Sequence, residues 1–308
     1  MMMNKEQEMV IQQAGFKLSG TLSLPAEPAH TAVMLIAGSG KVDREGNHAK
    51  FKSNIYKDLS YFFNSIGVAV LRYDKRGTGK SEGVYNETGL YDFIGDAAAW
   101  LKALKETGLF KQVIVVGHSE GTIIGPAVLK QEPADGFVFL CGSSGTGAEM
   151  LSYQNEWLRK EIRETNGLKG LLFKALKVEK KINKQTQAVY SKIAATSDAE
   201  LKYRGVKLNA KWMREMNNFD LRDYLSGLSG KLLAVEGGKD VQVKPGSAQD
   251  FAEKTGGEYL VIENMNHLLR ERTESHSLLG LLKEYKKELK DKPLHPALLD
   301  SLLEWIRR

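Results

Sequence analysis

Residues Gln112 to Gly121, QVIVVGHSEG, give the strongest indication of the fold of this chain. Four apolar, β-branched residues at 113–116 are followed by the pattern Gly-X-Ser-X-Gly at 117–121, and a second apolar segment occupies 122–129. β-branched runs favour strands, and glycines mark sharp turns. We therefore predict a strand, a tight turn centred on Ser119, and a helix.

The predicted turn is suited to nucleophilic chemistry. A serine hydroxyl is a weak nucleophile that must be exposed to a base, and a strained strand-to-helix turn exposes it. Side chains two positions before and after the serine would collide with the adjoining backbone, and Gly117 and Gly121 stand at these positions. The same letters also occur in glycine turns that only close a strand–helix unit, so the rest of the chain must decide.

Length and composition describe an ordinary globular protein. The chain has 308 residues, of which 42% are hydrophobic and 27% charged, so one large domain or a domain with an insertion is expected. Its apolar runs are too short to span a bilayer, and the first residues do not resemble a secretory signal. The single cysteine, Cys141, cannot form an internal disulfide. We therefore expect a cytoplasmic protein, as a monomer or homodimer.

The net charge of +6 does not indicate a nucleic-acid partner. Basic and acidic residues alternate, as in LKEYKKELKDK at 282–292, which is typical of a solvated helix face. We expect no nucleic-acid binding and no membrane span.

Buried strands alternate with helices along most of the chain. Residues 8–24 alternate in polarity and predict two antiparallel strands at a sheet edge. Continuous apolar runs predict strands covered on both faces, and helical segments separate them. The fold class is therefore α/β, with a doubly wound, mostly parallel sheet. The predicted buried strands are 31–37, 68–73, 113–116, 136–141, 231–236 and 258–262.

The alternation stops between 148 and 223. This segment has helical apolar stripes, such as Leu171, Leu172 and Leu176, and no convincing buried strand. We predict a helical cap at 148–223 over the carboxyl ends of the strands, with the core formed by 1–147 and 224–308. An apolar acyl pocket would be built there.

A glycine-rich loop follows the first buried strand at Gly38, Ser39 and Gly40. Ligands of parallel sheets bind at the carboxyl ends of the strands, so this loop should lie beside Ser119. Its backbone can offer an amide to an oxyanion. We assign that amide to Ser39, with Gly40 as the close alternative.

The sequence Gly79-Lys80-Ser81 after the next strand resembles the end of a phosphate-binding P-loop. The full pattern requires glycine where Asp74 stands, and a carboxylate repels phosphate. The following residues also fail to open a helix, which such a loop requires. We expect instead that Asp74 and Arg76 form an ion pair that braces the loop. Nucleotide binding is the least favoured alternative.

Asp240 and His267 follow the last two predicted strands, at the same sheet edge as Ser119. Nucleophilic catalysis needs this set, because the histidine accepts the serine proton while the carboxylate steadies the imidazolium. Of the other histidines, His118 adjoins the nucleophile but should be turned away, and His48 is the only serious competitor. We predict Ser119, His267 and Asp240 as a catalytic triad.

These motifs together resemble the α/β-hydrolase superfamily over nearly the whole chain. The resemblance to the superfamily rests on the motifs GHSEG, GGKD and NMNH and on their order in the chain. Two longer motifs, IAGSGKVDREGN and VLRYDKRGTGKSEG, look like those of bacterial esterases in the branch related to dienelactone hydrolases and acyl-peptidases. The resemblance implies a serine carboxylesterase without metal or organic cofactor. It also implies that the amide of Glu120 is the second oxyanion donor.

The expected substrate is a small-molecule ester with a small to medium acyl group. A thioesterase or an acyl-aminoacyl peptidase would use the same residues, so the sequence leaves the leaving group open.

Overall fold

A computed structural model describes residues 5–49, 51–274, 277–287 and 292–308, and eight of the strands found there form one sheet. The strands in chain order are β1 (Lys5–Gln13), β2 (Phe16–Leu24), β3 (Thr31–Ile36), β4 (Ala69–Tyr73), β5 (Gln112–His118), β6 (Gly136–Leu140), β7 (Glu200–Tyr203), β8 (Val206–Asn209), β9 (Lys231–Gly237) and β10 (Glu258–Ile262).

The large sheet has the order β1-β2-β4-β3-β5-β6-β9-β10. β1 and β2 run antiparallel, as do β2 and β4, and every other pairing in this sheet is parallel. The predicted fold class and the antiparallel edge are therefore confirmed. β5 lies in the middle, so the turn after it opens at the centre of the carboxyl edge.

Helices cover both faces of the sheet, which explains why the central strands are apolar throughout. The helices in chain order are α1 (Ile55–Ser65), α2 (Leu90–Glu106), α3 (Glu120–Gln131), α4 (Gly147–Glu164), α5 (Gly167–Ala175), α6 (Val178–Ala195), α7 (Ala210–Asn218), α8 (Ser247–Thr255), α9 (Leu281–Lys287) and α10 (Pro296–Arg307). One core contains Trp100 and Phe251, and the other contains Phe63 and Trp305.

The segment predicted as a purely helical cap differs in one respect. It contains α4 to α7 but also the antiparallel hairpin of β7 and β8, whose residues are at most half-buried. The prediction missed this hairpin because its strands are four residues each and belong to no buried core. The cap role and its boundaries stay a prediction.

One further sequence expectation needs correction. Asp74 and Arg76 do not pair with each other: Asp74 binds Arg44 at 2.7 Å, and Arg76 binds Asp96. The partners of Asp74 and Arg76 are remote in sequence, so the closeness of these two residues in the loop did not reveal them.

Within the described residues, no helix is both long enough and apolar enough to cross a membrane.

Candidate active site

Ser119 occupies a strained turn between β5 and α3. Its backbone has φ 55° and ψ −117°, a conformation that non-glycine residues rarely adopt. A Cβ atom on Gly117 would lie 2.3 Å from the Gly121 carbonyl oxygen, and one on Gly121 would lie 2.1 Å from that of Ile36. Both glycines are therefore required by close backbone approach, as the pattern predicted.

The three residues assigned to the triad lie in one hydrogen-bonded row. His267 Nε2 is 3.0 Å from the Ser119 Oγ, and His267 Nδ1 is 2.6 Å from the Asp240 Oδ2. Nδ1–H therefore donates to the carboxylate, which leaves Nε2 free to accept the serine proton. Asp240 and His267 are both nearly buried, so little water competes for these hydrogen bonds.

Backbone amides hold the acid and the histidine in place. Asp240 Oδ1 accepts from the amide of Gln242 at 2.7 Å. The buried Asn266 side chain accepts from the amides of Leu268 at 3.1 Å and Arg270 at 3.0 Å, which closes the loop around His267. The NMNH motif thus supplies both the histidine and the asparagine that shapes its loop.

His118 belongs to the same network, although it does not contact Ser119 Oγ. Its Nε2 donates to the His267 carbonyl oxygen at 2.8 Å, and its Nδ1 accepts from the Tyr56 hydroxyl at 3.0 Å. Tyr56 in turn accepts from the amide of Gly38 at 2.6 Å. Burial and the neighbouring His267 lower the pKa of His118 to about 3, so its imidazole stays neutral.

The loop after β3 lies against the serine, as expected. A Cβ atom on Gly38 would be 3.1 Å from Ser119 Cβ, and Ser39 and Glu120 line the same cavity as Ser119. The assignment of their amides to an oxyanion hole stays a prediction. His48 does not line this cavity, although Phe51 does.

Lys75, to which the sequence analysis assigned no role, supports the loop after β3. Its Nζ donates to the Gly38 carbonyl oxygen at 2.6 Å. In a trans peptide the C=O and N–H groups point in opposite directions, so a Gly38 carbonyl turned toward Lys75 turns the Ser39 N–H away from it. Lys75 thereby fixes the orientation of the predicted oxyanion amide.

A buried carboxylate completes this support. The Glu120 side chain is an ion-pair partner of Lys75, and both side chains are only 2% exposed. The other Glu120 oxygen accepts from Trp212 Nε1 at 2.5 Å. The residue after the nucleophile therefore links the loop after β3 to α7 of the predicted cap.

A cavity of about 240 Å³ opens over Ser119 and His267. One wall comes from α4 and α7 of the predicted cap, and the other comes from loops at the sheet edge. Its apolar lining comprises Val42, Phe51, Ile55, Met150, Leu151, Trp212, Met216, Val243 and Leu268.

Cys141 also borders the cavity but is a poor nucleophile. Burial and the nearby Asp240 raise the pKa of its thiol well above the usual value, which disfavours the thiolate.

The P-loop alternative does not fit the geometry. The Asp74 carboxylate fills the turn, accepting from the amides of Arg44 at 2.8 Å and Lys80 at 2.9 Å. Lys80 Nζ points to Glu8 at 3.1 Å. The Lys80 amide, which would help to cradle a phosphate, is therefore already used by the Asp74 side chain.

The sheet, the serine turn after β5, and the acid and histidine after β9 and β10 define the α/β-hydrolase class of protein. A family model described as serine aminopeptidase, S33, matches residues 49–273. The chain belongs to this family.

Named relatives and solved structures agree with this class. Esterase EstD of Thermotoga maritima is 25% identical over 257 residues, covering 82% of this chain and 58% of that protein. The chain thus spans little more than half of that relative.

Two solved esterases share the fold. Est1E from Butyrivibrio proteoclasticus, solved with ferulic acid, has a TM-score of 0.61 at 18% identity and covers 97% of this chain and 100% of that one. The Pyrococcus furiosus esterase Pf2001 also has a TM-score of 0.61 at 18% identity, covering 99% and 91%.

Proposed function

We propose that the protein is a serine carboxylesterase that cleaves small to medium acyl esters by way of an acyl-enzyme. The observation that carries the proposal is the row from Ser119 through His267 to Asp240, with distances of 3.0 Å and 2.6 Å, at the floor of an apolar cavity. The named relatives that are esterases support the same reaction.

The reaction follows from these positions. Ser119 Oγ attacks the ester carbonyl carbon while His267 Nε2 takes the hydroxyl proton, and Asp240 stabilises the resulting imidazolium. His267 then gives that proton to the departing alcohol as the acyl-enzyme forms. Water enters, loses a proton to His267 and attacks the acyl carbon. The bond from the acyl carbon to Ser119 Oγ then breaks, and His267 returns the proton to Oγ, which releases the acid and restores the serine.

The amides of Ser39 and Glu120 stabilise the oxyanion of both tetrahedral intermediates. Each such donor is worth about 3 kcal/mol in related chemistry. Lys75 acts through the Gly38 carbonyl as a positioning residue, because it keeps one of these amides aligned before substrate arrives.

The cavity favours an uncharged acyl ester over a peptide with a free amino terminus. An α-ammonium group needs an available carboxylate, and Glu120 is the one carboxylate among the described residues that line the cavity. Its two oxygens are already bound by Lys75 and Trp212. A thioester or an acyl-blocked peptide meets no such obstacle and differs only in its leaving group.

Fluorophosphonate labelling and ester hydrolysis test the proposal together. We expect the parent protein and a Ser152→Ala control to be labelled and to hydrolyse p-nitrophenyl butyrate, and Ser119→Ala to lose both, with kcat reduced by about 10⁴ or more. Matched ester, thioester and acyl-amide substrates then rank the leaving groups. Labelling that survives in Ser119→Ala would identify a different nucleophile and refute the proposal.

A further inference from the structure

The helix α5 presents its apolar side to solvent. Leu168, Leu171 and Leu172 of α5 are 85%, 67% and 54% exposed, and Leu176, directly after its last residue, is 49% exposed. Their spacing of three, four and eight residues places them on one side of the helix. Gly170 on the opposite side is buried. Helices of a globular protein normally bury such a stripe, so these four leucines lack the cover that their pattern requires.

The exposed leucines lie in a strongly basic segment of the chain. Residues 167–184 contain six lysines and a single acidic residue, Glu179. Glu179 is already bound by Arg163 at 2.7 Å and Arg159 at 3.3 Å. The six lysines are all exposed: Lys169, Lys174, Lys177, Lys180, Lys181 and Lys184.

We propose that this surface, formed by α5 and the first two turns of α6, binds anionic lipid bilayers. The leucines would enter the boundary between head groups and acyl chains, and the lysines would lie against lipid phosphates. Leucines flanked by lysines are the composition of helices that lie in a membrane interface. α5 has nine residues, about 14 Å, so it can lie in the interface but is too short to span the bilayer.

The positive charge of the surface favours an anionic bilayer over a second copy of the chain as its partner. In a two-fold dimer through α5 the same patch meets itself, so the lysines of one copy would face those of the other. An anionic surface instead neutralises them.

The position of the surface also suits the proposed esterase function. Of the arguments for lipid binding, only this one depends on that function. α5 follows α4, which supplies Met150 and Leu151 to the cavity over Ser119. Binding through α5 would therefore hold the esterase near apolar esters dissolved in the bilayer.

Vesicle co-sedimentation tests the lipid surface directly. The full chain is mixed with vesicles of phosphatidylglycerol and phosphatidylcholine, or of phosphatidylcholine alone, at low and high NaCl. The test variant is Leu168→Ser/Leu171→Ser/Leu172→Ser. The matched control is Val10→Ser/Leu109→Ser/Val206→Ser, which removes three apolar side chains of similar exposure elsewhere on the protein.

We expect the parent and the control to sediment with the anionic vesicles, weakly at high NaCl, and the α5 variant to bind about tenfold less or worse. Failure of the parent to bind anionic vesicles, or equal binding by the α5 variant, would overturn the proposal. A parent dimer in analytical ultracentrifugation that the α5 variant loses would assign the surface to a second copy instead.

Sedimentation measures binding without turnover, so the two proposals can fail separately. Hydrolysis of soluble p-nitrophenyl acetate by the α5 variant shows that it is folded, because none of the three leucines lines the cavity. Loss of turnover in every protein, with lipid binding intact, would refute only the esterase.

Discussion

At the residue scale, Lys75 is the side chain whose role depends most on tertiary contacts. It is buried between the Gly38 carbonyl oxygen and the Glu120 carboxylate. We predict that Lys75→Met lowers kcat about tenfold to a hundredfold with little change in KM, because the misaligned amide acts mainly on the transition state. Steady-state kinetics with a p-nitrophenyl ester measure this.

Two variants separate alignment from stability in that experiment. Lys75→Met leaves the Glu120 carboxylate buried without its cation, which destabilises the protein, so Lys75→Met/Glu120→Gln removes both charges. We expect the double variant to regain stability but not kcat. Lys80→Met is the control, because its ammonium is exposed at the far side of the same loop. A double variant with parental kcat would exclude the positioning role.

The lowered pKa of His118 leads to a prediction of how the free energy of unfolding depends on pH. Its pKa of about 3 in the folded protein lies below the ordinary value of 6.5. Between these two pH values, His118 is therefore protonated in the unfolded chain and neutral in the folded chain. The stability that it confers is complete above pH 6.5 and is lost as the pH falls toward 3. Between pH 7 and pH 5 the loss is about 2 kcal/mol.

Urea denaturation at both pH values tests this prediction against His118→Gln, whose side-chain amide can still donate to the His267 carbonyl oxygen. The variant should lose about 2 kcal/mol less between pH 7 and pH 5 than the parent does. Equal losses would show that His118 titrates normally.

At the element scale, the packing of α3 against β3 depends on a missing side chain. A Cβ atom on Gly121 would meet the Ile36 carbonyl oxygen at 2.1 Å, so β3 would have to shift. We predict that Gly121→Ala destabilises the protein by about 3 kcal/mol. It should also lower activity, because Ile36 directly precedes the loop that contacts Ser119.

Gly95 in α2 is the matched control, since a Cβ atom added there would be 3.5 Å from its nearest neighbour, Gln13 Nε2. Gly95→Ala should stabilise the protein by about 1 kcal/mol through helix propensity. Urea denaturation measures both variants. If Gly121→Ala is as stable as the parent, the turn tolerates the side chain and the close-approach argument is wrong.

At the scale of the whole molecule, the cavity exists only where distant segments meet. Leu151 on α4 lines the same cavity as Ser119, whereas the next residue, Ser152, is exposed. We predict that Leu151→Trp narrows the acyl pocket, so kcat/KM falls at least about tenfold for octanoate relative to acetate esters. Ser152→Trp should leave that ratio unchanged. An unchanged ratio in Leu151→Trp would place the acyl group elsewhere.

The regular parts of the fold were predictable because short-range patterns decide them. Continuous apolar runs predicted β3, β5 and β9 to within a residue or two, since a strand buried on both faces needs apolar side chains throughout. The hairpin of β7 and β8 was missed because it is short and partly exposed. The outward leucines of α5 were also unpredictable, since helical spacing defines a stripe but not its direction.

The amino-acid sequence alone was enough to predict the sheet, the serine turn and the chain order of Ser119, Asp240 and His267. These depend on local backbone preferences and on the rule that parallel strands bring their carboxyl ends together. The pairing of the buried charges, in contrast, could be found only from the folded chain. Asp74 selects Arg44 and Lys75 selects Glu120, across 30 and 45 residues. A buried charge is stabilised by whichever partner the packed chain places beside it, and separation along the chain does not reveal that partner.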